Sequence, residues 1–143
     1  MRRVPIDQLP PGIHVRSWAE VRAAFGTTHH RRRLLGGLRA AMEALRAAGC
    51  ERVYLDGSFI SRTRHPEDFD GCWDPTNVNI SLLDPVLQDF SSGRRAQKAK
   101  YRGELFPSTA TEGGSGLTFL EFLQQDKDTG AAKGIIEIDL RAV

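Results

Sequence analysis

Apolar residues recur at helical spacing in two stretches near the start of the chain. In "WAEVRAAF", residues 18–25, Trp18, Val21 and Phe25 fall on one side, and Ser17 with Glu20 has the spacing of a capping box, so a short helix is predicted there. Leu34, Leu38, Met42 and Leu45 recur through "RRRLLGGLRAAMEALRAAG", with Thr27 or Thr28 in front as cap and Gly49 behind as terminator. The pair Gly36-Gly37 weakens this second helix by about 1 kcal/mol per glycine, a cost that suits close approach to a neighbouring element. The period then changes to two: "ERVYLDG" turns Val53 and Leu55 inward as a half-buried strand does.

In "DFDG" the same period puts Asp68 and Asp70 side by side with Phe69 turned toward the core. Pro75 and Asn77 signal a loop, and a short helix is predicted from Asp84 or Pro85 to Phe90, ahead of a basic segment. Residues 106–116, "FPSTATEGGSG", are the most loop-like part of the chain. "LTFLEFLQQDKDTGAAKG" reads as a helix through Gln125 and a turn. "GIIEIDL" reads as a strand with Ile136, Ile138 and Leu140 facing one way, and Glu137 and Asp139 the other. No internal repeat and no interdomain linker interrupts this order.

Length and composition narrow the picture. A chain of 143 residues and 15.9 kDa suits one domain, large enough to bury roughly two-thirds of its unfolded surface. Cys50 and Cys72 have no zinc-ligand or disulfide-framework spacing, which favours reduced thiols. No stretch approaches the roughly 20 apolar residues of a membrane span, and "MRRVPIDQLPPG" lacks the apolar core of a signal peptide, so the expectation is a soluble cytoplasmic protein. His14, His29, His30 and His65 show no metal-ligand spacing, and Trp73 reads as a core aromatic. Net charge is only +2, yet "HHRRRLLGGLR" and "GRRAQKAKYR" gather Arg31, Arg32, Arg33, Arg39, Arg94, Arg95, Lys98, Lys100 and Arg102. Each alone reads as part of a solvated face; together they can attract phosphates.

The candidate chemistry lies in "YLDGSFISRTRHPEDFDGCWD", residues 54–74. Two carboxylates on one face of a strand repel unless a cation lies between them, and Mg2+ prefers oxygen ligands supplied by one or two carboxylates plus substrate phosphates. Gly57 frees the backbone for a tight turn, and Ser58 offers a hydroxyl and an amide where a phosphate can be cradled. Arg62 and Arg64 lie in the same connection and can add bidentate contacts. These parts converge on a nucleoside triphosphate with its metal.

"LDGSF", then nine residues from Phe59 to Glu67, then "DFDG" resembles the active-site signature of the nucleotidyltransferase superfamily to which DNA polymerase beta belongs. Most of the chain also resembles a family of small bacterial proteins with a nucleotidyltransferase-like core, through these segments and the late Lys133, Gly134 and Ile135. The resemblance implies a single nucleotidyltransferase-like α+β domain over residues 1–143, with a mixed β-sheet flanked by helices. It implies that Gly57 and Ser58 hold the triphosphate, that Asp68 and Asp70 hold Mg2+ or Mn2+, and that a third carboxylate on a neighbouring strand completes the site. Asp139 is taken for that third role and Glu137 as its substitute. The activity implied is transfer of a nucleoside monophosphate from an NTP to a protein or RNA acceptor, in a toxin and antitoxin pair or a phage-defence locus. The alternative is a silent relative that binds nucleotide, RNA or a partner protein.

Overall fold

The computed structural model describes residues 9–56, 67–126 and 128–143. The chain runs through β1 (Gly12–Val15), α1 (Trp18–Phe25), α2 (His29–Ala47), β2 (Arg52–Asp56) and β3 (Phe69–Trp73). Short 3-10 turns at Ile80–Leu82 and Pro85–Gln88 lead to α3 (Ser91–Tyr101), β4 (Gly103–Pro107), α4 (Phe119–Phe122) and β5 (Gly134–Asp139). The fold is α+β, with a mixed five-stranded sheet in the order β1-β5-β2-β3-β4. β5 lies parallel to β1 and antiparallel to β2, β2 is antiparallel to β3, and β3 is parallel to β4.

The first two helices form as their sequences dictate. Ser17 accepts from the Glu20 amide while Glu20 reaches back to the Ser17 amide, and Thr28 accepts from the Arg31 amide. α1 buries Trp18, Val21 and Phe25, and α2 buries Leu34, Leu38, Met42 and Leu45. They pack on the sheet face that carries Val53, Leu55, Phe69, Trp73, Leu105, Ile136 and Ile138. Each such side chain, removed from water, stabilises the fold by roughly 1.5–3 kcal/mol. Close packing explains Gly37: a Cβ there would meet the Tyr101 carbonyl oxygen at 1.9 Å, so α2 touches the end of α3 backbone to backbone. Gly36 faces open space.

The opposite face of the sheet is covered more thinly. Tyr54, Cys72, Ile135 and Leu123 form a second small cluster, with Phe119, Leu120 and Phe122 of α4 packed against it. Thr118 and Glu121 cap α4 reciprocally. That helix stops at Phe122, three residues before the predicted end at Gln125. Both cysteines are buried and free, and burial pushes the Cys50 thiol up to about 11 and the Cys72 thiol up to about 12. Trp73 is a core residue. Among the described residues no helix is long and apolar enough to cross a membrane.

Candidate active site

Three strands place an acid on the same row of the thinly covered face. Asp70 of β3 pairs in register with Glu104 of β4, and extending the Leu55 and Gly71 pairing by one residue sets Asp56 of β2 opposite Asp70. Asp68 stands just before β3, and Phe69 between the two aspartates is fully buried, as the alternation requires. The Asp70 carboxyl is pushed up to about 7, first by burial, then by its hydrogen bond to Glu104 and by the negative charges of Glu104, Asp56 and Asp68. Below about pH 7 Asp70 therefore keeps its proton, and its O–H donates to Glu104.

The acids come with cations already in place, contrary to a reading of them as an uncompensated cluster. Arg94 Nε lies 2.7 Å from Glu104 Oε2. Lys98 Nζ stands between Asp68 Oδ2 at 3.6 Å and Glu104 Oε2 at 3.8 Å. On the other flank Lys133 Nζ meets the buried Asp56 Oδ1 at 2.8 Å. Arg94 is held at some cost, since Ser92, Gly93 and Arg94 are consecutive left-handed residues with φ of 50°, 66° and 61°. A non-glycine residue in that region is disfavoured by about 1–2 kcal/mol.

The two acids of β5 expected beside Asp68 and Asp70 do not adjoin them. β5 pairs with β1 and β2 and does not adjoin β3. Asp139 lies opposite Arg52, at the other end of β2 from Asp56, roughly 13 Å away at about 3.3 Å per residue. It accepts from the Arg141 amide and guanidinium, at 2.9, 3.0 and 3.1 Å, which hold its carboxyl below the usual range. Glu137 lies opposite Tyr54, with its carboxylate 3.9 Å from the Arg52 Nε. The fold brings Asp68, Asp70 and Glu104 together and leaves Asp139 and Glu137 apart. Gly57, Ser58, Arg62 and Arg64 lie outside the described residues.

A cavity opens on each side of the acid row. One, of about 330 Å3, is lined by Asp68 and Glu67 and by His30, Arg33, Lys98 and Arg102. The other, of about 300 Å3, has Asp70, Glu104 and Arg94 at its base and Phe106, Phe119 and Phe122 among its walls. One cavity is basic and the other aromatic, with the carboxylates between them.

The match to known families follows the same span of chain. The chain belongs to DUF6932, a family of unknown function. The family's sequence profile covers residues 5–139, and with them every strand of the sheet. No curated protein and no solved structure matches the chain.

Among the described residues of this DUF6932 chain, no three His, Cys, Asp or Glu side chains already close around a point as metal ligands do. Carboxylate oxygens are the donor type a hard divalent cation takes, and one of these carboxyls, Asp70, is pushed up to about 7 first by burial and then by its acidic neighbours. Two members of the row, Asp56 and Glu104, escape a reading of the sequence alone. Glu104 was signalled only by the alternation in "GELF", where a lone acid stands between Gly103 and Leu105.

Proposed function

We propose that this DUF6932 protein is a metal-dependent nucleotidyltransferase that moves a nucleoside monophosphate from an NTP to an acceptor hydroxyl. The observation that carries the reading is the meeting of Asp70 and Glu104 on paired strands, with Asp68 one step away, in a chain whose "LDGSF" and "DFDG" segments have the spacing described above. Asp68, Asp70 and Glu104 would hold Mg2+ or Mn2+. When bound, the metal neutralises phosphate charge and makes the α-phosphorus a better electrophile.

The chain's own residues supply the rest. Arg33, Lys98 and Arg102 line the basic cavity beside Asp68 and attract the β and γ phosphates. Gly57 and Ser58 follow Asp56 directly in the chain and are assigned to the triphosphate as the sequence suggests. The acceptor oxygen attacks the α-phosphorus as the bond to the bridging oxygen breaks. Pyrophosphate leaves toward the basic cavity, and the acceptor proton passes to the Glu104 carboxylate. Asp70 must lose its own proton before it can hold the metal, so rising pH favours transfer.

A second reading has its own support. Arg94, Lys98 and Lys133 already neutralise Glu104, Asp68 and Asp56, as a silent relative that binds nucleotide, RNA or a partner protein without metal would require. The two are separated by incubating the protein with each α-labelled triphosphate, Mg2+ and total RNA or cell extract. Transfer by the wild type and its loss in Asp70→Asn supports the transferase. Nucleotide binding with no transfer to any extract supports the silent binder.

A further inference from the structure

Three phenyl rings form one continuous stack from the surface to the aromatic cavity. Phe106 stacks on Phe119 with centroids 4.1 Å apart and planes 2° from parallel, and on Phe90 at 5.6 Å and 16°. The Arg94 guanidinium lies 5.6 Å from the Phe106 centroid. Phe119 faces the cavity beside Asp70 and Glu104, while Phe90, 39% exposed, ends the stack outside, next to α3. Arg95 is exposed on that helix and has no acidic partner among the described residues.

We infer that the acceptor is single-stranded RNA, its terminal base entering the aromatic cavity and a preceding base stacking on Phe90. Charge decides which part of the strand goes where. Asp70, Glu104 and Glu112 line the cavity against a single cation, Arg94, which is already paired with Glu104, so acids outnumber bases there and phosphate is disfavoured. An uncharged ring whose N–H groups donate to carboxylates and whose faces meet phenyl walls is what it suits, and a volume of about 300 Å3 is the small end of ligand sites. The backbone is then left to Arg95 outside. Aromatic platforms beside cationic side chains are how proteins hold single strands, each stacked base contributing about 5-fold or more in affinity. A docked tyrosine or serine side chain of a protein acceptor would fill the cavity but give no role to the exposed Phe90 and Arg95. The strand's role as acceptor rests on the transferase reading above; its binding does not.

The test is anisotropy of a fluorescein-labelled eight-nucleotide oligoadenylate, without NTP and with EDTA, against the same oligonucleotide in duplex. The wild type should bind the single strand in preference to the duplex. Phe90→Ala should bind at least about 5-fold more weakly and Phe90→Tyr close to wild type. Arg95→Ala should lower the slope of log affinity against log salt by about 0.7, the share of one single-strand phosphate contact. A wild type that binds no oligonucleotide, binds duplex equally well, or is indifferent to Phe90→Ala and Arg95→Ala overturns the inference. A protein that binds the strand through Phe90 yet transfers no nucleotide keeps it and loses the transferase. Transfer to RNA that is indifferent to Phe90 does the reverse.

Discussion

Asp70 and Glu104 face each other across the parallel pair β3 and β4, and the protonated Asp70 carboxyl donates to Glu104. No ion is needed to make that arrangement stable at mildly acid pH, and raising the pH toward neutrality withdraws its stabilisation.

Between about pH 4, where an unfolded aspartate ionises, and about pH 7, where folded Asp70 does, the folded state keeps a proton that the unfolded state has released. The contribution of this group to stability is therefore complete below about pH 4 and falls as pH rises to about 7. Asp70→Asn removes the dependence, so the variant should gain at least about 1 kcal/mol relative to wild type between pH 5 and pH 8. Urea denaturation at the two pH values reads this directly, and a constant difference would place the proton elsewhere.

Divalent metal should replace that proton. At pH 8, Mg2+ or Mn2+ should raise the melting temperature of the wild type, by about 2.7 kcal/mol of stability at a hundred-fold excess over the dissociation constant. The rise should be smaller at pH 5.5 and largely absent in Asp70→Asn and Glu104→Gln. Equal responses in wild type and both variants would remove these residues as the metal site.

Glu104 and Asp139 should separate cleanly in a transfer assay. Glu104→Gln should lower transfer by about 10²- to 10⁴-fold, the range for loss of a positioned base. Asp139→Asn, at the far end of β2, should retain most of it, because its carboxylate is occupied in holding Arg141. Full transfer in Glu104→Gln and loss in Asp139→Asn would restore the assignment drawn from sequence.

The two adjacent glycines of α2 should respond with opposite sign. Gly36→Ala places its methyl in open space and should stabilise the protein by up to about 1 kcal/mol through helix propensity. Gly37→Ala drives its methyl into the Tyr101 carbonyl and should destabilise by about 1–3 kcal/mol. Thermal melts of the two single variants suffice.

Helical periodicity made α1, α2 and their caps legible, because those signals are local: a cap oxygen, an amide three residues on, an apolar side chain each turn. The strand alternation around Val53, Phe69 and Ile136 was legible for the same reason. β1 and β4 were not, since "GIHV" and "GELFP" are four and five residues long and lean on glycine or proline, and Glu104 adjoins a basic run that dominates its surroundings. The expectation that Asp139 adjoins Asp70 failed at another level. Its side of β5 was read correctly, but which strand lies beside which is decided by long-range packing, and no residue near Asp139 records that β2 stands between it and Asp70.

β5 is the last of the described strands to leave the ribosome, and it is wedged between β1 and β2 in the sheet. Until residues 134–139 emerge, β1 has no strand to pair with among those described, and the inner edge of β2 presents unsatisfied amides and carbonyls for over seventy residues of synthesis. A nascent chain in that state has an open strand edge beside an apolar face, the combination that invites association with other chains. Sheet closure therefore waits on the synthesis of residues 134–139, and truncations that remove β5 should be captured by chaperones or proteases instead of accumulating as folded fragments.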